Sequence, residues 1–247
     1  MQPSLSYKVS NDATYGVGAI LSRATMNTDS VQGNFTPSGV QDQDATFYGI
    51  GFQVGGVWQL AQTGSFALNV RSPVWHQKAD NYNGGVFTDS IDTPTQVTAG
   101  FAFDPTASTT IAADFKLIRW SEANTIGNHP YANNTSAGFG WIDQKIIKLG
   151  VEHAVDEALT LRAGISHGNS PIQQATVTAN FLFPAIIETH FTVGGSYDIG
   201  NGMVLGASGY VTPEAEFYDD GSLNANATGS HLAHQQYGFQ LSFSNDF

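Results

Sequence analysis

Apolar and polar residues alternate with a period of two along most of the chain. Tyr48, Ile50, Phe52 and Val54, for example, alternate with Gly49, Gly51, Gln53 and Gly55. This period is typical of β-strands that present different surfaces on their two faces. The alternating segments are 4–9, 15–22, 48–55, 66–71, 97–103, 111–117, 147–152, 159–166, 191–198, 203–212 and 237–247. No stretch shows a convincing helical period, so the pattern predicts about eleven strands in an all-β fold.

The connections between these segments are alternately short and long. The short turns are Asn11-Asp12, Gln62-Thr63-Gly64, Asp104-Pro105, Val155-Asp156-Glu157 and Gly200-Asn201-Gly202. The longer, polar loops are 27–43, 79–90, 123–141, 169–186 and 213–234. Short turns at one end and long loops at the other are typical of antiparallel transmembrane β-barrels of the outer membrane.

Two soluble all-β folds are the alternatives to a membrane barrel. A β-propeller repeats at a similar interval but needs four short strands in each repeat, and each repeat here offers two long ones. A soluble sandwich should carry many lysines and glutamates on its polar face. Here the polar face is mostly Gly, Ser, Thr, Asn and Gln, and only 12% of all residues are charged, about half of the roughly 25% usual in soluble domains. The composition therefore favours the membrane barrel.

The two faces of the predicted sheet are expected to face different surroundings, lipid on one side and the barrel interior on the other. A charge on the lipid face near the middle of the membrane costs roughly 2–4 kcal/mol, so the polar face must point inward. Tyr, Phe, Leu, Ile and Val are then expected to point outward. The charged residues with inward phase are Arg71, Asp114, Lys116, Lys148, Glu152 and Arg162.

Composition and charge exclude several other classes of protein. The chain has no cysteine, so it has no disulfide, thiolate metal site or cysteine nucleophile. Its formal net charge of −12 argues against a nucleic-acid partner, which requires a basic face. No apolar run reaches the length of a transmembrane helix. Met1 is followed by Gln-Pro-Ser and not by a basic and then an apolar segment, so we expect no secretory signal in this chain.

An ordered series of residues resembles one family of outer-membrane proteins. The series is Thr93-Pro94-Thr95-Gln96, Arg119-Trp120-Ser121, Trp141-Ile142-Asp143-Gln144-Lys145, Leu159-Thr160-Leu161-Arg162-Ala163-Gly164, Asn169-Ser170-Pro171-Ile172, Pro184-Ala185-Ile186-Ile187-Glu188-Thr189-His190 and the terminal Phe247. Together these segments resemble the FadL/TodX family of transport proteins for long-chain fatty acids and aromatic hydrocarbons. The resemblance runs over essentially the whole chain and is strongest from about 91 to 212.

The resemblance implies a fourteen-stranded barrel that is plugged by a small N-terminal hatch. The present chain offers about eleven strands, which we interpret as the C-terminal portion of a single outer-membrane barrel domain spanning residues 1–247. The hatch and about three first strands are then expected to be missing. The sum of eleven and three is even, as closure of an antiparallel barrel requires.

The resemblance also implies a function. We expect passive uptake of hydrophobic compounds across the outer membrane of a Gram-negative bacterium, first of all long-chain fatty acids, by a protein that is not an enzyme and needs no cofactor. The alternatives are aromatic hydrocarbons as cargo, or a surface receptor or adhesin without transport. The expected partners are outer-membrane lipid, lipopolysaccharide and a hydrophobic small molecule but no nucleic acid, and the full-length protein is expected to be a monomer.

Four inward-facing cations are the candidate ligand-binding residues. A fatty acid has one carboxylate on a long apolar tail, so its site needs one or two cations among apolar walls. Arg71, Lys116, Lys148 and Arg162 have the required phase. The alternative is a structural network in which the same cations pair with the carboxylates of Asp114, Glu152, Glu188 and Asp198. No local motif decides which of these cations would contact the ligand.

Several further sequence patterns have both a functional and a structural interpretation. Phe35, Phe87 and Phe139 lie in loops and are candidates for an extracellular capture surface. Gly164-Ile165-Ser166-His167-Gly168 matches the G-x-S-x-G hydrolase motif but lies inside a predicted strand with no helix after it, so a chance match is the simpler interpretation.

The remaining patterns concern metals and prolines. His231 and His234 have metal-like spacing without a third ligand, so no metal site is predicted. The acidic residues Asp42, Asp44, Asp219 and Asp220 are interpreted as solvated loop charges that could bind divalent cations loosely. Pro73 and Pro94 indicate local bulges or strand ends, or alternatively a kink that opens the barrel wall.

Overall fold

Antiparallel strands dominate the computed structural model, which describes residues 1–26, 45–78, 90–130 and 138–245. The strands are β1 (Ser4–Lys8), β2 (Ala13–Met26), β3 (Ala45–Ala61), β4 (Gly64–Arg71), β5 (Trp75–His76), β6 (Gln96–Thr106), β7 (Thr109–Ile118), β8 (Gln144–Ala154), β9 (Leu159–Gly168), β10 (Thr189–Gly200), β11 (Met203–Val211), β12 (Ala215–Tyr218), β13 (His231–His234) and β14 (Tyr237–Asn245). Short helical segments are Trp120–Glu122, Asn124–Gly127, Gln174–Thr176, Thr178–Asn180 and Ala225–Ala227. In the described part of the chain, no helix combines the length and hydrophobicity that a membrane span requires.

Eleven strands form one continuous antiparallel meander. Their order is β1-β2-β3-β4-β6-β7-β8-β9-β10-β11-β14, so each strand pairs with its neighbours along the chain. These are the eleven strands that the alternation predicts. Because eleven is odd, β1 and β14 run in the same direction, and within the described residues they do not pair. Sequence patterns missed β5, which pairs with β3, and the small β12–β13 hairpin.

The apolar side chains of the long strands lie on the exposed outer face, as predicted. Phe52, Leu161 and Phe191 are 52%, 48% and 45% exposed, which excludes a closed hydrophobic interior on that side. The opposite face, called here the inner face, carries the small and charged residues. It also has three buried apolar side chains that the simple assignment of faces did not predict, Ile20, Phe47 and Ile118.

The predicted turns are confirmed with one correction. The segment Asp104-Pro105 is not the turn, because β6 continues through both residues to Thr106 and the chain reverses at Ala107-Ser108. The β6–β7 register shifts between Phe103 and Thr106. A proline has no N–H to donate, and an irregular strand end tolerates that loss.

A one-residue bulge separates β4 from β5 at Ser72-Pro73. Gln53 pairs with Arg71, whereas Ile50 pairs with Trp75, so one extra residue lies on the β4–β5 side of the ladder. The Ser72 hydroxyl accepts the Phe52 N–H at 2.8 Å and donates to the Pro73 carbonyl at 2.7 Å. Ser72 therefore repairs the hydrogen-bond ladder at the bulge, in agreement with the interpretation of Pro73 as a local irregularity.

Three segments at the long-loop end of the sheet pack together into what we call the loop unit, residues 138–143, 169–188 and 212–236. Its core consists of the buried Ile172, Val177 and Ile186, against which Trp141, Ala185, Ala215, Phe217 and Leu232 pack. The sequence predicted only polar loops in these regions. That expectation is wrong for this part of the chain, because several apolar residues of the three segments pack together in one buried core.

Candidate functional site

The four predicted cations all lie on the inner face, and the strand register determines which of them are neighbours. Arg71 lies opposite Gln96, and Lys116 lies opposite Thr98, so these two cations flank β6 on β4 and β7. Lys148 on β8 lies opposite Asp114, two residues from Lys116 along β7. Lys116 lies within electrostatic range of both Lys148 and Arg71. The fold therefore gathers Arg71, Lys116 and Lys148 into one positively charged cluster, the inner cation cluster.

Arg162 belongs instead to the structural network that was the alternative interpretation. Its Nε donates to a carboxylate oxygen of Glu152 at 2.6 Å, and its Nη1 donates to the Ser196 hydroxyl at 3.0 Å. Glu152 faces Arg162 directly in the β8–β9 ladder. Both side chains of the pair are 48% exposed, so the ion pair is solvent-screened and its contribution to stability is below about 1 kcal/mol. The guanidinium is thus occupied by protein groups.

Asp114, Glu188 and Asp198, the other predicted members of that network, form no ion pair with a cation of the described residues. A carboxylate oxygen of Glu188 accepts the Ser170 N–H at 2.8 Å, and one of Asp198 accepts the Gly200 N–H at 2.7 Å. Asp114 faces Lys148 in the ladder, but no ion pair within 4 Å joins the two side chains. A Cβ built on Gly100 would lie 2.5 Å from Oδ1 of Asp114, so the carboxylate leans over Gly100 on β6.

The inner cation cluster keeps its hydrogen-bonding capacity available. Among the described residues, no side-chain hydrogen bond or ion pair satisfies the ammonium groups of Lys116 and Lys148. The Nε of Arg71 is buried and has no partner in that part of the chain. A buried charged donor without a partner is costly, and an anion that reached it would remove that cost.

A groove of about 390 Å³ lies on the inner face next to this cluster. Its lining includes Gln53, Gly55, Asn69, Thr98, Gly100 and Asp114 from β3, β4, β6 and β7, together with residues of β1 and β2. Despite the hydroxyl and amide groups, most of the lining surface is apolar. Arg71 lies two residues beyond Asn69 on β4, and Lys116 lies two residues beyond Asp114 on β7. The cations therefore lie at one end of a groove with largely apolar walls.

Glycines give this part of the inner face its open form. A Cβ at Gly55 would lie 2.8 Å from the Leu68 carbonyl oxygen, and a Cβ at Gly51 would lie 2.8 Å from the Pro73 carbonyl oxygen. A Cβ at Gly49 would collide with the ring of His76. Because these β3 positions lack side chains, the β4–β5 segment can lie close against them without filling the groove.

The sequence did not predict the arrangement above the groove. The His76 ring covers Gly49, and its Nε2 lies 2.9 Å from the Ser22 hydroxyl. The same ring makes an edge-on contact with Phe47, with centroids 5.6 Å apart. This contact explains how Phe47 is buried on the inner face. No local sequence pattern predicted the contact between Ser22 and His76, because the two residues are 54 positions apart in the chain.

The loop unit is held together by a buried asparagine that no motif marks. Asn180 accepts the indole N–H of Trp141 at 2.6 Å and donates to the carbonyls of Phe139 and Thr176, both at 2.8 Å. Phe139, a candidate for an extracellular capture surface, is only 2% exposed, so that candidate role is wrong. Its ring packs edge-on against Phe183, with centroids 5.1 Å apart. The other two loop candidates, Phe35 and Phe87, lie outside the described residues.

The G-x-S-x-G match at residues 164–168 lacks the structural surroundings that a catalytic serine requires. Ser166 lies within β9, opposite Lys148 and His190, and the strand continues to Gly168 without a sharp turn or a following helix. The Nδ1 of the adjacent His167 lies 2.9 Å from the Thr189 hydroxyl and therefore pairs across the strand. The geometry of a nucleophile elbow is therefore not present at this position.

The two loop histidines point to different partners. His234 Nδ1 lies 2.9 Å from the Pro184 carbonyl, whereas the His231 ring stacks on Tyr218. Asp219 accepts the backbone N–H groups of Thr178 and Gly221, and Asp220 that of Ser222. Across the described ranges no group of three potential metal ligands occurs. Asp42 and Asp44 lie outside these ranges, as does Phe247.

Comparison with known proteins gives one family match and several matches in fold. The family described as outer membrane protein transport protein (OMPP1/FadL/TodX) matches residues 1–241. A search of curated proteins found no significant match.

Three solved structures illustrate the similarity in fold. The Pseudomonas putida toluene transporter TodX is 14% identical with a TM-score of 0.65, and the match covers 100% of this chain and 68% of that one. The Ralstonia pickettii toluene transporter TbuX is 15% identical with a TM-score of 0.63, covering 98% and 66%. A Pseudomonas aeruginosa FadL homologue is 13% identical with a TM-score of 0.60, covering 98% and 65%. The chain thus spans about two thirds of the length of these proteins.

Proposed function

The chain belongs to the OMPP1/FadL/TodX family of outer membrane transport proteins, and we propose that it takes up long-chain carboxylates passively along the inner face of its barrel. Family membership places it in the outer membrane among transporters of hydrophobic compounds. The choice of a carboxylate over a neutral hydrocarbon is the part that the side chains of this chain support.

The inner cation cluster is the observation that carries this proposal. A neutral hydrocarbon cannot form an ion pair with Arg71, Lys116 or Lys148. Three neighbouring cations without carboxylate partners repel one another, and this repulsion has an electrostatic cost. A carboxylate offsets this cost, because each charge-assisted hydrogen bond contributes about 1.5–3 kcal/mol. The groove beside the cluster supplies apolar surface for the tail. The combination fits an amphipathic ligand with one anionic end.

The arrangement indicates how such a ligand would move. Lys116 and Lys148 lie diagonally on adjacent strands, because Lys148 faces Asp114 and Lys116 faces Ile146. A carboxylate can therefore change partners over a diagonal spacing of roughly 7–8 Å. Asp114 lies beside both lysines and limits how tightly an anion is held. Weak binding at several neighbouring positions favours passage over retention. No step in this path requires a source of energy other than the concentration gradient of the ligand.

Aromatic hydrocarbons are the second candidate cargo. TodX and TbuX are both described as toluene transporters, and both share the fold of this chain. At sequence identities of 14% and 15%, these similarities show a shared fold but do not show which cargo this chain transports. A mostly apolar groove could also accept a small aromatic ring, so toluene belongs in the same test.

The test compares cargos that differ only in the head group. Uptake of labelled oleate, oleyl alcohol and toluene is measured in vesicles that contain the full-length protein or an unrelated barrel. We expect oleate uptake above the unrelated barrel, and a loss of about tenfold in the Lys116→Gln, Lys148→Gln double variant. Oleyl alcohol uptake should not change in that variant. Lys145→Gln is the matched control, because Lys145 lies on the same strand as Lys148 but on the exposed outer face.

Two outcomes would contradict the proposal. Equal losses of oleate and oleyl alcohol uptake would show that the lysines are not recognising the carboxylate. Toluene uptake without oleate uptake would make the aromatic hydrocarbon the cargo.

A further inference from the structure

Cations on the outer face of the sheet lie at one end of it. Arg23, Arg119 and Lys145 are exposed, have the same phase as the outward apolar residues and lie at the long-loop end. Along the described strands, no Lys or Arg has this phase at the short-turn end. Because the long loops of outer-membrane barrels are extracellular, the three cations lie toward the outer leaflet, which consists of lipopolysaccharide.

Arg23 differs from the other two cations in having no acidic neighbour. Arg119 forms an ion pair with Glu122, and Lys145 lies two residues from Asp143 in the same phase. In contrast, β2, β3 and β5 contain no Asp or Glu. Within the described ranges, Arg23 forms no ion pair and no side-chain hydrogen bond. Its guanidinium can therefore bind an external phosphate through two parallel hydrogen bonds.

Arg23 lies at the border of the apolar band on its strand. Tyr15, Val17, Ala19 and Leu21 precede it on the same face of β2. Its separation from Tyr15 is roughly 27 Å along the strand. Because barrel strands are tilted by about 40°, this separation is roughly 20 Å across the membrane, close to the roughly 25 Å height of an apolar band. The guanidinium thus lies at the level of the lipid head groups.

Uncharged polar side chains surround Arg23 on the β3 side. Tyr48 faces Arg23 in the β2–β3 ladder and is 56% exposed. At the next outward position Thr25 faces Thr46, and their hydroxyl oxygens are 3.2 Å apart. The Gln77 N–H donates to the Tyr48 carbonyl at 2.9 Å, so Gln77 lies beside Tyr48 on the other side of β3. These five exposed residues are called here the rim site.

Exposed apolar side chains continue the rim site toward the middle of the membrane. Leu21 faces Ile50, and Trp75 lies on the other side of Ile50. Their exposed fractions are 47%, 46% and 49%. We propose that the rim site binds a phosphorylated sugar of lipopolysaccharide. Arg23 binds the phosphate, the hydroxyl and amide groups bind the sugar, and the apolar residues contact the acyl chains.

The composition of the rim site favours a glycolipid over an anionic phospholipid. A phospholipid phosphate needs only the cation, whereas the hydroxyl groups of Thr25, Thr46 and Tyr48 match the hydroxyl groups of a sugar. A soluble phosphate would gain nothing from the apolar surface below Arg23. The rim site lies on the opposite face of the wall from the inner cation cluster, so this proposal does not depend on which cargo is transported.

Binding of lipid A, the membrane anchor of lipopolysaccharide, tests the rim site directly. The full-length protein in detergent is titrated with lipid A that carries two phosphates, and the bound fraction is measured by native mass spectrometry. We expect saturable binding that is about tenfold weaker in Arg23→Gln, because the charge-assisted hydrogen bonds to the phosphate are lost. Arg23→Lys should keep most of the affinity. Arg162→Gln removes the same charge from the inner face and is the control that should bind lipid A normally.

Two further lipids separate the phosphate from the sugar. Dephosphorylated lipid A should bind the wild type about as weakly as lipid A binds Arg23→Gln. The double variant Thr25→Val, Thr46→Val, which keeps the branched shape of both side chains, should weaken lipid A binding about threefold and leave phosphatidylglycerol binding unchanged.

Three results would overturn the proposal. Unchanged lipid A affinity in Arg23→Gln would show that the phosphate binds elsewhere. Equal binding of lipid A with and without phosphates would remove the role of the cation. Phosphatidylglycerol binding as tight as that of lipid A would make the rim site a general contact for anionic lipids. Because the assay contains no cargo, each of these results leaves the proposed function to its own test.

Discussion

Asp114 and Lys148 face each other directly across the β7–β8 ladder, yet the carboxylate of Asp114 leans over Gly100 on the opposite side. Opposite charges at facing positions of a sheet usually pair. Here the empty space above a glycine takes up the carboxylate and leaves the ammonium group available. A residue without a side chain therefore determines whether a cation two strands away can bind an anion.

We predict that Gly100→Ala weakens carboxylate uptake. The new Cβ would lie 2.5 Å from Oδ1 of Asp114, so the carboxylate must move, and the nearest cation in its ladder is Lys148. Pairing of the two should lower oleate uptake several-fold, about 1 kcal/mol in binding, and leave oleyl alcohol uptake unchanged. Gly150→Ala is the control on the same face, since its Cβ would meet nothing closer than 3.8 Å. Unchanged oleate uptake in Gly100→Ala would show that Lys148 does not need to be unpaired.

The hydroxyl of Ser72 should matter for the stability of the barrel wall. Ser72→Ala leaves the Phe52 N–H without its acceptor at the bulge, and an unsatisfied backbone group in this setting costs about 1–3 kcal/mol. We expect a corresponding fall in the free energy of unfolding in urea and faster hydrogen exchange of the Phe52 amide. Ser65→Ala on β4, the strand that precedes the bulge, is the comparison, and it should leave this amide protected.

Removal of Asn180 should loosen the loop unit without opening the sheet. Asn180→Ala leaves the Trp141 indole and the carbonyls of Phe139 and Thr176 without their partner. The combined cost is about 3 kcal/mol or more, confined to the loops. Limited proteolysis should then cut within 169–188, while the strands remain protected. Asn224→Ala, which removes an exposed cap from the turn at Ala225–Ala227, should not cause such cleavage.

The turn between β8 and β9 should lose stability in acid. The carboxylate of Asp156 accepts the N–H groups of Leu159 and Ala158, both at 2.8 Å, and these bonds lower the pKa of Asp156 below its ordinary value. A lowered pKa in the folded state means that this stabilisation is present above the ordinary value and is lost as the pH falls through the folded one. Titration of the Leu159 amide shift by NMR checks this.

Two variants identify the group responsible for that acid effect. Asp156→Asn should abolish the acid transition of the Leu159 amide, because the amide side chain does not titrate. Glu157→Gln, at the next exposed position, should preserve it. A transition that survives in Asp156→Asn would assign it to a different group.

The sequence by itself determined the strands and their faces. Alternation is a local property, and in a membrane one face must exclude charge, so the outward exposure of Phe52 and Leu161 followed from spacing alone. The inward phase of Arg71, Lys116, Lys148 and Arg162 followed in the same way. The position of the turn after Phe103 did not follow from the sequence pattern, because β6 tolerates Pro105 at its irregular end.

Only the tertiary structure decided which charges pair and which loops pack. Arg162 has Glu152 opposite it, whereas Asp114 has a glycine beside it, and such neighbours depend on strand register and side-chain direction. Asn180 joins segments about 40 residues apart, so no local pattern marks it. Periodicity records which face a residue occupies, but the energy of a buried polar group or an ion pair depends on atoms that folding brings from distant parts of the chain.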